Sequence, residues 1–183
     1  MDSIDDFKGL KIRGKGRNPL EMMKRLGAAP VGAPGIKSFE LLSNGVVDVT
    51  MIPFGPAMNL GLVGHVPEIT TLPGGFFRPG FAIVMNQEAF DELDEAAQKV
   101  LIETAGSKLA ERIGAIMDAE DTKGIAVFEK AGSTITAASD ELIMAIKEKT
   151  AFVEDGWLEN ATKRGVDGAA ALSYFREKAA SAK

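Results

Sequence analysis

Apolar and polar positions along the first third of this chain fall into short blocks whose period changes from block to block. Phe7-Lys8-Gly9-Leu10-Lys11-Ile12-Arg13-Gly14 reads as a β-run, with Arg13 just past the end of the first strand. Leu20, Met23 and Leu26 then share one face of a helix. Asn18 is its predicted N-cap, Pro19 sits in its first turn, and Glu21 takes the capping-box position. Ala28 to Ala33 is a second short run, and Phe39-Glu40-Leu41-Leu42 is a second helix stopped by Asn44-Gly45. Val46 to Ile52 is a third strand. Strands alternating with helices predict a parallel sheet with helices on its faces. Ligands of such sheets sit beyond the carboxyl ends of the strands, where Arg13 and Ile52-Pro53-Phe54 fall.

Further along, a short helix follows Phe54-Gly55-Pro56 to about Val63, and Val66 to Leu72 is strand-like before a turn at Pro73-Gly74-Gly75. Phe81 to Met85, five apolar residues without a break, reads as a buried strand, and Asn86 caps a short helix ending near Leu93. From Asp94 a long helix is expected to Lys130, with Ala97, Leu101, Ala105, Leu109, Ile113 and Met117 as its stripe. Gly106, Gly114 and Gly124 weaken it, each by about 1 kcal/mol relative to alanine, and a bend is expected near Gly124. Ser133 to Ala137 is the last strand. Asp140 to Arg164 is a helix with Leu142, Ile146, Val153, Trp157 and Ala161 inward, and Asp167 to Ala179 closes the chain as another.

Composition narrows the function classes. A net charge of −5 leaves no basic excess to neutralise phosphates, so a nucleic-acid partner is not expected. Lys11, Arg13, Lys15 and Arg17 form a local basic patch suited at most to a single anion. Cysteine is absent, which removes thiol catalysis, disulfides and thiolate metal sites together. No run of about 18 apolar residues is present, so no membrane-spanning helix is expected. His65 is the one histidine, and no acidic cluster has ligand spacing, so neither a metal nor a catalytic base is expected. Gly14-Lys15-Gly16 lacks the Walker and dinucleotide spacings, so no nucleotide cofactor is expected either. No Gly-x-Ser-x-Gly elbow occurs. The acidic residues Asp91-Glu92, Asp94-Glu95 and Asp118, Glu120 and Asp121 read as solvated helix faces and caps, with a catalytic dyad there as the remote alternative. Arg13 remains the best candidate for chemistry, because its planar fork matches a carboxylate, although a plain surface arginine is the alternative.

Four stretches carry a family likeness: Asp6 to Arg13, Leu26-Gly27-Ala28-Ala29-Pro30-Val31, Asn44-Gly45-Val46-Val47-Asp48 and Phe81-Ala82-Ile83-Val84-Met85-Asn86. In that order and spacing the chain resembles the solute receptors of TRAP transporters, the dicarboxylate-receptor family, from about Asp6 to Lys130. The resemblance implies an α/β fold: a periplasmic-binding-protein-like lobe, its parallel-rich sheet flanked by helices, with long C-terminal helices. It implies that residues 1–76 form the α/β core of a second lobe. Residues 77–119 would belong with a first lobe lacking here, and 120–183 would return to the second lobe, so a fragment is expected.

The resemblance also implies a function. Arg13 would clamp the carboxylate of a small organic acid, which the receptor passes to the membrane subunits of a TRAP transporter, in the periplasm. Gly35 stands where many members carry an aromatic residue, and Ile52 stands where many carry an asparagine in a Glu-Asn-Pro motif. With Pro53 and Phe54 these residues would give an open, apolar floor suited to a larger, partly hydrophobic acid. Arg78, after Pro73-Gly74-Gly75-Phe76-Phe77, would supply a second cation or face solvent. An effector-binding lobe of a transcriptional regulator and an α/β enzyme without a recognisable catalytic motif are the alternatives.

Overall fold

The computed structural model describes residues 1–76 and 80–181. In chain order, after a 3-10 turn at Ile4–Phe7, the elements begin with β1 (Lys11–Gly14), α1 (Arg17–Arg25) and β2 (Ala29–Gly32). A second 3-10 turn at Gly35–Lys37 leads into α2 (Ser38–Ser43), β3 (Val49–Thr50), α3 (Phe54–Asn59) and β4 (Glu68–Thr71). Then come α4 (Gln87–Asp91), α5 (Glu95–Thr104), α6 (Ser107–Lys130), β5 (Thr134–Ala137), α7 (Asp140–Thr150), α8 (Phe152–Lys163) and α9 (Gly168–Ser181). The architecture is the expected α/β one: sheets in order β2-β1-β3 and β4-β5, flanked by helices. β1 runs parallel to β2 with Arg13 opposite Val31, and β4 runs parallel to β5 with Ile69 opposite Ile135.

Two compact units share the chain. The first comprises residues 1–32, 47–49 and 138–183. Here α1 packs on β1 and β2, and α7 packs on α1, burying Ile12, Met23, Leu26, Val47 and Leu142. The Asp48 carboxylate accepts the Lys11 backbone N–H at 2.8 Å, and the Asp48 N–H donates back to the Lys11 carbonyl at 2.8 Å. That reciprocal pair fixes the start of β1. The second unit comprises residues 33–46 and 50–137. Its core is Ala57, Leu62 and Phe128, with Leu42, Ile52, Phe54, Met58, Val63, Val66, Ile69 and Ile135 packed around them.

Several expectations need correction. Arg13 is not past the first strand but inside it, as the third of four residues. Helix α1 starts at Arg17 and its N-cap is Gly16, whose φ of 95° makes the turn out of β1. Asn18 is therefore already helical, and Glu21 pairs with Arg25 at 3.1 Å instead of closing a capping box. The third strand is two residues long instead of seven.

The expected helix from Asp94 is two helices, separated at Ala105–Gly106. Gly106 adopts φ 70°, ψ −142°, which ends the helical hydrogen bonding, whereas α6 runs through Gly124 without a break. The expected helix from Asp140 also divides, at Ala151. There the Thr150 hydroxyl donates to the Ile146 carbonyl at 2.7 Å and competes with the backbone ladder. Trp157, expected inward, is half exposed.

The largest departure is the segment 81–85. It forms no strand, and Phe81 is 80%, Ile83 76% and Val84 86% exposed. A run of apolar residues supplies strand propensity, but a buried strand also needs strands beside it, and none pairs with this one among the described residues. The expected stripe on α5 and α6 is likewise largely open, with Leu101, Ile113 and Met117 exposed.

Candidate functional site

Within the first unit, β1 carries Arg13. The strand is covered on both faces: Ile12 is 1% exposed and Arg13 is 5% exposed. Alternation puts these two side chains on opposite faces of the sheet. Burial of the guanidinium lowers its pKa from the ordinary arginine value, because the charged form loses solvation. It remains a cation at neutral pH all the same. No buried side-chain nitrogen or oxygen among the described residues lacks a hydrogen-bond partner. Gly14, the next residue, admits the Met23 side chain so closely that an added Cβ would stand 2.6 Å from Met23 Cε. Lys15 and Arg17, predicted with Arg13 as one basic patch, are exposed, so burial separates Arg13 from them.

Gly35, Ile52, Pro53 and Phe54 belong to the second unit. Gly35 opens the 3-10 turn that follows β2 and is half-buried. Ile52 and Phe54 lie half-buried against the Ala57–Leu62–Phe128 core, and the rings of Phe54 and Phe128 meet edge to face at 6.0 Å. Pro53 is exposed and occupies the N-cap position of α3, where it offers no side-chain acceptor. The structure thus brings Ile52 and Phe54 onto one apolar cluster at a chain corner. Arg78 lies outside the described residues, as does Phe77.

Two residues hold this corner: Ser38, which the sequence did not single out, and Asp121, which it placed on a solvated helix face. Ser38 is fully buried, and its hydroxyl lies 3.1 Å from that of Thr50, the last residue of β3. The Asp121 carboxylate, on α6, accepts the Gly55 backbone N–H at 2.7 Å. A hydrophilic residue at the first position of α2 was a readable sign for Ser38. Asp121 gave none, because its partner is 66 residues away.

The described residues contain no group of three or more His, Asp or Glu side chains able to hold a metal ion. Among them, no helix is long and apolar enough to cross a membrane. His65 lies on the surface with its ring edge to face with Phe39, centroids 5.0 Å apart.

Comparison with known proteins adds identity to this geometry. Residues 1–159 match the family model DctP, bacterial extracellular solute-binding protein, family 7. A TRAP periplasmic solute-binding protein from Bordetella bronchiseptica, solved with bound (R)- and (S)-mandelate, is 34% identical with a TM-score of 0.85. The match covers 97% of this chain and 56% of that one. A TRAP solute-binding protein from Rhodoferax ferrireducens T118, in complex with copurified benzoate, is 26% identical with a TM-score of 0.80, covering 94% of this chain and 55% of that one. Among curated proteins, outer membrane transporter protein TsaT of Comamonas testosteroni is 29% identical over 98% of this chain and 53% of its own length. The chain spans about half the length of the curated relatives it matches.

Proposed function

The chain belongs to the family of bacterial extracellular solute-binding proteins, family 7, a family of binding proteins and not of enzymes, and from that premise we propose that it receives a small organic acid for delivery to a TRAP membrane transporter. The observation that carries this reading is Arg13, a cation buried at the carboxyl end of a parallel strand in a chain of this family. A guanidinium so placed binds a carboxylate through two parallel N–H···O bonds, each contributing about 1.5–3 kcal/mol. The working place is the periplasm, and the partners are the transporter's membrane subunits. Residues 77–119 belong with the first lobe of such a receptor, and 1–76 with 120–183 belong with its second.

The guest we propose is an acid with an apolar, aromatic body. Two features support it. Ile52 and Phe54 give an apolar surface where a polar anchor would hold a hydroxylated acid. The Bordetella and Rhodoferax relatives were solved with mandelate and benzoate. Gly35 brings no side chain to its turn that would compete with such a ring, and Arg78 supplies a second cation for a diacid.

A thermal-shift panel of (R)-mandelate, (S)-mandelate, benzoate and malonate, with benzyl alcohol as the neutral control, tests the proposal. A bound acid at a hundred times its dissociation constant stabilises the chain by about 2.7 kcal/mol. Benzyl alcohol is expected to give no shift. Equal shifts from benzoate and benzyl alcohol, or none from any acid, would refute the reading.

A further inference from the structure

The corner at residues 51–54 contains methionine, isoleucine, proline and phenylalanine, so it has no polar side chain with which to fix its own conformation. It is nevertheless held at both ends. At its start, the buried Ser38 hydroxyl engages Thr50 Oγ1 at 3.1 Å. At its end, the Asp121 carboxylate takes the Gly55 N–H at 2.7 Å. Helix α3 needs that external acceptor, because Pro53 at the N-cap has none to give. Close approach makes the contact possible: a Cβ on Gly55 would sit 3.0 Å from Glu120 Cβ and 3.3 Å from Asp121 Oδ1.

We propose that Ser38 and Asp121 are positioning residues that clasp the 51–54 corner between α2 and α6, and that they thereby set the affinity for the apolar body of the guest. The inference rests on the receptor reading above and adds to it how the apolar wall is preorganised. Ordering a loose corner on binding costs free energy that reduces affinity, and a corner ordered beforehand avoids that loss. The clasp also decides what the corner can receive. The α3 amide that would attract a negative charge is already taken by the chain's own carboxylate. This corner therefore offers a guest its apolar side chains and not that amide.

Two measurements on the full chain test this: amide exchange at Gly55, and titration with (R)-mandelate. Asp121→Ala is expected to speed Gly55 exchange at least about tenfold and to weaken mandelate about tenfold, the loss of one charge-assisted hydrogen bond. Asp121→Asn keeps a neutral acceptor and is expected to restore part of both, which a role through net charge alone would not allow. Ser38→Ala is expected to weaken mandelate without changing Gly55 exchange. Unchanged Gly55 exchange in Asp121→Ala would overturn the clasp. Faster exchange with unchanged mandelate affinity would overturn its positioning role and leave the receptor reading intact. A wild-type chain that does not bind mandelate, benzoate or malonate would instead defeat the receptor reading, and the positioning role with it.

Discussion

Gly124 of α6 lies against Phe54 of α3 at a distance no side chain could tolerate. A Cβ built on Gly124 would stand 2.8 Å from the Phe54 carbonyl carbon and 2.9 Å from its carbonyl oxygen and Cβ. Two of those three atoms are backbone and cannot rotate away. The absence of a side chain at 124 is thus what lets α6 support the corner that carries Ile52 and Phe54.

Alanine at two glycines of the same helix is therefore expected to act with opposite sign. Gly124→Ala forces α3 and α6 apart and should cost about 1–3 kcal/mol, the usual range for overpacking. Gly114 has nothing within 4 Å of an added Cβ, so Gly114→Ala should stabilise by about 1 kcal/mol through helix propensity alone. Thermal melts of the two variants decide it; a Gly124→Ala variant that melts at or above the wild-type temperature would show that the α3–α6 contact is not close-packed.

These two glycines also show how far the sequence could be read. Periodicity and turn residues placed β2, β4, β5 and α2, and the Asn86 cap is present, its Oδ1 accepting from Glu88 N–H at 2.7 Å. All of these depend on neighbours a few residues away. Gly124 read as a weak point in a helix because its reason for being glycine, Phe54, is far off in the chain. Asp121 read as a solvated carboxylate for the same reason. The segment 81–85 read as a buried strand because composition reports propensity and cannot report whether neighbouring strands exist. Arg13 could be picked out by residue type and by family likeness, but its burial became visible only once the helices were packed on β1.

The exposed apolar surface of 81–85, together with Val100, Ile102 and Ile116 on α5 and α6, has a direct consequence in solution. The chain is expected to bind a hydrophobic dye and to self-associate as its concentration rises. Val84→Lys changes a side chain that is 86% exposed, so it should leave the melting temperature nearly unchanged while reducing both dye fluorescence and association. Light scattering that shows a monomer with no dye binding in the wild type would contradict this.

At the amino terminus, Asp6 accepts the backbone N–H groups of Ser3 at 3.0 Å and Asp2 at 2.7 Å. The Ser3 bond, then the Asp2 bond, hold its pKa below the ordinary 3.8. A carboxyl whose folded pKa is depressed stabilises above its unfolded value and loses that contribution as pH falls through the lower folded one. Order of the first turn should therefore persist at pH 5 and fade only below about pH 4. Amide exchange at Ser3 across that window checks it, and Asp6→Ala should remove the transition.

Arg13 offers the most discriminating pH experiment. Burial lowers its pKa from the ordinary arginine value, which disfavours the cation in the folded chain. Stability gained by deprotonation would appear only as pH rises through that lowered value. Carboxylate binding through Arg13 should accordingly be flat from about pH 6 to pH 9, since neither guanidinium nor carboxylate titrates there. Arg13→Ala should abolish the shift given by benzoate or mandelate. Arg13→Lys keeps a positive charge but loses the fork that meets both carboxylate oxygens, so affinity should fall at least about tenfold. A buried ammonium also releases its proton far more readily than a guanidinium, so residual binding in Arg13→Lys should decline with rising pH while the wild type does not. Calorimetric titrations at three pH values separate these behaviours. A wild-type affinity that titrates in that range, or a lysine variant that binds equally well, would remove Arg13 from the carboxylate.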